Sequence, residues 1–155
     1  FANGVEVRVL GGDALRAGLC RDLGFSEAER TENVRRAAEV GRILRDAGQV
    51  VLVTLISPLR SDRDLARRII GDDFEEVFVD ADLSVCEQRD PKGLYAAARA
   101  GKISGFTGID APYEAPQAPA LRLQTSQTAA DKLAADLAGF VEGKVAVSGG
   151  QRQTS

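Results

Sequence analysis

Gln49 to Ile56 read Gln-Val-Val-Leu-Val-Thr-Leu-Ile, apolar at almost every position and rich in β-branched side chains. A run of this kind predicts a strand with two apolar faces, the pattern of a parallel sheet covered by helices on both sides. The flanking sequence agrees. Val5 to Leu10 (VEVRVL) alternates apolar and polar residues and predicts another strand, running into the turn Gly11-Gly12-Asp13. Between the two, Ser26 and Glu29 spell a capping box, and Val34, Ala37, Ala38, Gly41 and Leu44 recur at helical spacing up to Gly48, a helix-stopping glycine. Pro58 closes the apolar run, and Ser61 with Asp64 opens a second amphipathic helix through Ile70. Glu75 to Asp80 (EEVFVD) and Leu121 to Leu123 predict further strands, and Leu83 to Arg89 a short helix. A final helix is predicted from Thr128 to Val141 with Leu133, Leu137, Phe140 and Val141 facing inward.

Strand and helix in alternation predict an α/β fold with a mostly parallel sheet and right-handed crossovers. Ligands of such sheets collect at the carboxyl ends of the strands, so segments 11–16, 57–63 and 80–87 are expected on one rim. Residues 90–119 hold four of the five prolines and predict a mobile, lid-like covering segment with one helical stretch from Leu94 to Ala100. The length of 155 residues fits one domain over residues 1–143. The small, polar stretch 144–155 reads as a flexible tail, with a permuted strand at Lys144 to Val147 as the alternative.

Histidine is absent, which removes imidazole as base, zinc ligand or triad member and leaves few bases besides carboxylates. Cys20 and Cys86 have neither C-x-x-C spacing nor a disulfide framework, which points to a reducing cytoplasm and no thiolate metal site. A net charge of −3 gives no global basic field, so no nucleic-acid partner is expected. No apolar stretch approaches the ~20 residues that span a bilayer, and no membrane association is expected. The chain opens on Phe1 and contains no methionine, so it reads as part of a longer chain.

Six runs follow one another: Gly12-Asp13-Ala14-Leu15-Arg16, Asp22-Leu23-Gly24-Phe25-Ser26, Arg30-Thr31-Glu32-Asn33-Val34-Arg35-Arg36, Ile56-Ser57-Pro58-Leu59-Arg60, Arg89-Asp90-Pro91-Lys92-Gly93-Leu94-Tyr95 and Phe106-Thr107-Gly108-Ile109-Asp110. In that order they resemble the adenylylsulfate kinases (APS kinases), over about Val5 to Val141. The resemblance implies a P-loop nucleotide-kinase-like three-layer α/β/α domain. It implies phosphoryl transfer from ATP to the ribose 3′-hydroxyl of adenosine 5′-phosphosulfate (APS), giving PAPS, with ATP and Mg²⁺ as cofactors. It further implies a homodimer and a functional or fused ATP sulfurylase. An APS kinase begins with a strand and a Walker A loop, G-x-x-x-x-G-K-S/T, and no such motif occurs in these residues. That segment is therefore expected upstream of Phe1, and without it two neighbouring strands would expose unpaired amides. Two other readings stay open: a non-catalytic APS- or nucleotide-binding regulatory relative, and the kinase part of a fused sulfurylase-kinase.

By the same resemblance Asp13 lies beside the 3′-hydroxyl as proton acceptor or orienting group, while an aspartate after Gly12 also serves as a helix N-cap. Gly11 and Ala14 stand where the family usually has Asp and Asn, which removes an acidic group suited to magnesium or its waters. Arg16, Arg30 and Asn33 resemble contacts to the phosphosulfate and nucleotide, the guanidinium fork suiting a tetrahedral anion; Arg35, Arg36, Arg42 and Arg45 read as solvated helix residues. Phe25 and Phe106 resemble the aromatic pair around the adenine, with core packing as the alternative. Ser57 offers a hydroxyl or backbone group, or only ends a strand. Lys92 resembles a cation brought in by a closing segment, or is a surface lysine. Arg63 meets phosphates or pairs with Asp62 or Asp64.

Overall fold

The computed structural model describes residues 6–151, and the chain forms two compact units. The first takes the chain up to Phe74 together with Ala98–Ala115, and the second takes Glu75–Ala97 and the chain from Pro116 onward.

In the first unit, β1 (Val7–Gly11) leads into α1 (Gly12–Ala17), α2 (Glu27–Asp46), β2 (Val50–Thr54) and α3 (Arg60–Ile70). β1 and β2 are parallel, with Val7 opposite Val50 and Gly11 opposite Thr54. The expected capping box forms at the start of α2: Ser26 Oγ accepts from the Glu29 amide at 3.4 Å, and the Glu29 carboxylate accepts from the Ser26 amide at 3.1 Å. The helix stops just before Gly48, whose φ of 86° lies in the left-handed region that glycine enters without strain. One apolar cluster joins Leu15, Cys20 and Ala37 to Leu10, Leu23 and Leu55. A second joins Val34, Ala38 and Ala66 to Leu55, Ile69, Ile70 and Phe74. These clusters hold α1, α2 and α3 on the strand pair through apolar burial.

The second unit contains β3 (Val77–Asp80), α4 (Leu83–Arg89), β4 (Leu121–Gln124) and α6 (Ala130–Gln151). Its strands are also parallel, with Val77 opposite Leu121 and Asp80 opposite Gln124. Arg122 ties the pair across its register, donating Nε and Nη2 to Asp80 Oδ2 at 2.9 and 2.6 Å. α5 (Leu94–Arg99) carries the chain from the second unit back into the first.

Several expectations change. The first strand begins at Val7, and Val5 lies outside the described residues. Among the described residues the strands form two parallel pairs, β1–β2 and β3–β4, in keeping with the parallel α/β expectation. The run at Gln49–Ile56 contributes only Val50–Thr54 to a strand, and in the paired strand β1 Leu10 packs toward Leu15 and Ala37 while Val9, pointing the other way, is 64% exposed. Ser61 does not cap α3. The helix starts at Arg60 with Leu59 in the cap position, because Glu114, 54 residues away, accepts from the Arg60 amide at 2.7 Å. The final helix runs ten residues beyond the expected end at Val141. Lys144–Val147 is helical and not a strand, with the Lys144 ammonium paired to Glu75 in the second unit. Of the expected tail 144–155, residues 152–155 lie outside the described residues.

Candidate functional site

The parallel register sets the carboxyl ends of β1 and β2 side by side, at Gly11 and Thr54, so segments 11–16 and 57–63 leave one rim of the first unit. Gly12 permits the close approach of α1 to that rim: a Cβ there would stand 3.2 Å from Leu55 Cδ2 and 3.5 Å from the Thr54 carbonyl oxygen. Asp13 follows in the first turn of α1 and is exposed. It is not the N-cap, which is Gly11 with no side-chain cap bond, so the capping alternative for Asp13 is set aside.

Four of the expected site residues belong to one hydrogen-bonded assembly. The Arg16 guanidinium lies 4.2 Å over the Phe25 ring, and its Nη1 donates to the carbonyls of Leu23 at 3.2 Å and Gly24 at 2.8 Å. Glu29 takes the Gly24 amide at 2.8 Å, and hydrogen bonds from Ser26 and from the Gly24 amide hold its carboxyl below the usual range. Phe25 itself is 67% exposed, which rules out the core alternative for that ring. Arg30, in the first turn of α2, donates Nε to the Phe25 carbonyl at 2.8 Å, Nη2 to the Gly105 carbonyl at 2.5 Å and Nη1 to Thr107 Oγ1 at 2.8 Å. One guanidinium therefore fastens the Phe25 main chain to the loop bearing Phe106, which is half-buried. Three of its five N–H groups are committed in this way, leaving one on each η nitrogen.

Arg36 also departs from its expected role. It donates to both Asp22 oxygens, at 2.6 and 2.8 Å, and to the Leu19 carbonyl at 2.9 Å, pinning to α2 the stretch that precedes Phe25. Asn33, one turn beyond Arg30, is 5% exposed and its Oδ1 has no hydrogen-bond partner. A buried acceptor left in that state costs about 1–3 kcal/mol unless a further donor reaches it. Asp62, also buried, accepts from Thr31 Oγ1 at 2.7 Å and so links α3 to the turn of α2 that carries Arg30.

Ser57 ends the apolar run in a left-handed conformation, φ 40°, which costs a residue with a side chain about 1–3 kcal/mol. Arg63 holds it there, donating Nη1 to the Ser57 carbonyl at 2.8 Å and Nη2 to the Glu114 carbonyl at 2.6 Å. The Glu114 amide in turn donates to the Pro58 carbonyl at 2.8 Å. These two Arg63 contacts go to main-chain carbonyls and brace the turn at Ser57. Lys92 belongs to the second unit, exposed in a turn closed by the Gly93 amide on the Asp90 carbonyl at 3.1 Å.

The sequence model of the adenylylsulphate kinase family matches residues 1–124. This chain belongs to the adenylylsulphate kinase family. The adenylyl-sulfate kinase of Aeromonas hydrophila is 56% identical over 123 residues, covering 79% of this chain and 62% of the relative. The bifunctional enzyme CysN/CysC of Xylella fastidiosa is 54% identical over 146 residues, 92% of this chain and 23% of that one. Among solved structures, the Mycobacterium tuberculosis APS kinase CysC in complex with AMPPNP and APS superposes with a TM-score of 0.86 at 51% identity, covering 91% of this chain and 83% of that chain. The chain thus spans about three-fifths of the length of the Aeromonas relative. Its fold is that of the adenylylsulphate kinases, α/β with parallel strands.

Motif reading singled out the aromatic and arginine positions and gave no role to the residues that fasten them. Glu114 carried no signal, because its partners lie more than fifty residues away. Asp110 stood in a recognised run without a role, and only its position five residues after Gly105 hinted at a carboxylate closing a turn.

Proposed function

We propose that the protein transfers the γ-phosphoryl group of ATP to the 3′-hydroxyl of APS, and that its first unit holds the sulfonucleotide. The observation that carries this reading is the Arg30 clamp, which joins the main chain at an exposed phenylalanine to a second phenylalanine-bearing loop. Two aromatics fastened by one guanidinium suit a purine, and stacking contributes about 1–3 kcal/mol per base. Arg16 and the remaining N–H groups of Arg30 supply charge for the phosphosulfate. Asn33 offers a buried acceptor for a hydroxyl or exocyclic amine of the ligand, and the strained Ser57 presents its hydroxyl at the same rim. The solved Mycobacterium relative, which holds AMPPNP and APS, supports both substrates.

In this reading the Asp13 carboxylate accepts the 3′-hydroxyl proton as the new O–P bond forms and the bond to the β-phosphate oxygen breaks, releasing ADP and PAPS. By the family resemblance Lys92 is the cation that meets the transferred charge. Mg²⁺ accompanies ATP in this reading, an ion held by one or two carboxylates together with the nucleotide's own phosphates and water. The reading also carries a cytoplasmic setting, a homodimer, and association or fusion with ATP sulfurylase. Two free cysteines support the first, and the bifunctional Xylella relative supports fusion.

Titrating the full-length protein with APS and with ATP while following PAPS formation tests the proposal. Binding of both substrates with PAPS produced is expected, and Asp13→Asn should slow turnover about 10²–10⁴-fold with APS affinity kept. APS binding without PAPS formation would favour the regulatory alternative.

A further inference from the structure

Asp110 has no part in the scheme above, yet its carboxylate is the acceptor on which the Phe106 loop closes. Oδ2 accepts from the Gly105 amide at 2.7 Å and Oδ1 from the Phe106 amide at 2.5 Å. The Phe106 carbonyl accepts in return from the amides of Ile109, Asp110 and Ala111 at 3.0, 3.2 and 3.1 Å. Gly105 and Gly108 supply the left-handed backbone that so tight a loop requires, with φ of 66° and 87°. Anchoring the amides of residues 105 and 106 on one carboxylate fixes the peptide planes on either side of Gly105, and the three bonds to the Phe106 carbonyl fix the plane that follows Phe106. With a fixed trans peptide on each side of its Cα, Phe106 has its backbone torsions, and with them the direction of its Cα–Cβ bond, set by the loop. Arg30 holds the same loop from outside, at the Gly105 carbonyl and the Thr107 hydroxyl.

We propose that Asp110 is a positioning residue that aims the Phe106 ring at the purine of the sulfonucleotide, an inference that rests on the reading of the first unit as the APS side of the cleft. The chemistry favours aspartate specifically. Charge-assisted bonds from two amides need two acceptor oxygens. Asparagine offers one acceptor and turns an N–H toward the other amide, and glutamate adds a methylene that displaces the carboxylate from the turn. The ionised form is the one the amides select, and hydrogen bonds from Gly105 and Phe106 lower the Asp110 carboxyl below its usual range.

A double-mutant cycle in the full-length protein tests this, reading APS and ATP affinity by calorimetry for wild type, Asp110→Ala, Phe106→Ala and the double variant. Asp110→Ala should weaken APS about tenfold and ATP less than about twofold, with Asp110→Asn near threefold for APS. In the Phe106→Ala background, Asp110→Ala should add less than about twofold, because the ring through which it acts is gone. If Asp110→Ala does not fold, the same cycle is run with Asp110→Asn. An equal loss in both backgrounds assigns Asp110 to general stability and overturns the proposal, as does unchanged APS affinity in both Asp110 variants. A wild-type protein that binds no APS overturns the cleft reading itself, whereas normal wild-type binding with a silent Asp110 overturns the positioning role alone.

Discussion

The proline- and glycine-rich stretch 90–119 contains two regions that differ in how they are fastened. Residues 101–115 belong to the first unit, tied to it through Arg30 on Gly105 and Thr107, Arg63 on the Glu114 carbonyl, and the Glu114 carboxylate on the Arg60 amide. These bonds join residues 51 to 77 positions apart. Residues 90–97 belong to the second unit, and Asp90 closes their turn at short range, accepting from the Gly93 amide through its carbonyl and from the Tyr95 and Ala96 amides through its carboxylate. Turn composition forecast a single mobile segment. Local chemistry fixes that a chain will turn, but whether the turn is held in place depends on long side chains arriving from elsewhere.

The sharpest way to break this contrast is Arg30→Ala. It deletes three hydrogen bonds at once, each worth about 0.5–1.5 kcal/mol net, for a stability loss of about 2 kcal/mol. Loop 105–110 should then exchange its amide hydrogens as readily as the 90–97 turn, and APS affinity should fall about tenfold or more. Unchanged exchange over 105–110, by mass spectrometry, would show that the fastening lies elsewhere. Glu114→Ala is the second test. Loss of a cap typically costs about 1 kcal/mol, and urea unfolding should show a loss of that size. Exchange at the Arg60 amide should rise while the 90–97 turn is unaffected.

The legible part of the molecule was the part specified by neighbours in sequence. The capping box at Ser26 and Glu29, the stop before Gly48 and the helix at Leu83–Arg89 follow from residues a few positions apart, and they stand where the pattern puts them. The α3 cap failed because Ser61 lost to a carboxylate from a distant loop, an interaction that no local pattern encodes. For the site, motif order marked Phe25, Arg16 and Arg30, but the roles assigned were those of ligand contacts. That Arg30 spends three donors on the protein could not be read from a string in which Gly105 and Thr107 stand 75 and 77 positions away. Alternation tells which side chains share a face, while what covers that face depends on other segments, as the 64% exposure of Val9 in β1 illustrates.

The smallest effect concerns what the two regions share. Each is closed by one aspartate on two backbone amides, Asp110 on Gly105 and Phe106, and Asp90 on Tyr95 and Ala96. Both carboxyls are lowered from the ordinary aspartate value of 3.8, Asp110 first by the Gly105 amide and Asp90 first by the Ala96 amide. A carboxyl lowered by folding contributes stability that is fully present above its unfolded value and is lost as pH falls through its folded one. Both loops should therefore keep their amide positions from neutral pH down to about 4, and loosen only below it. The amide-proton shifts of Gly105, Phe106, Tyr95 and Ala96, followed by NMR through an acid titration, should move together in pairs with midpoints under 3.8. Because Arg30 also braces the first loop from outside and adds its charge to the field at Asp110, the Gly105 and Phe106 shifts should keep that low midpoint in wild type and drift upward in Arg30→Ala. The Tyr95 and Ala96 midpoints should not respond to that substitution, and a common upward drift of all four would erase the distinction between a loop held at long range and one closed by its own neighbours.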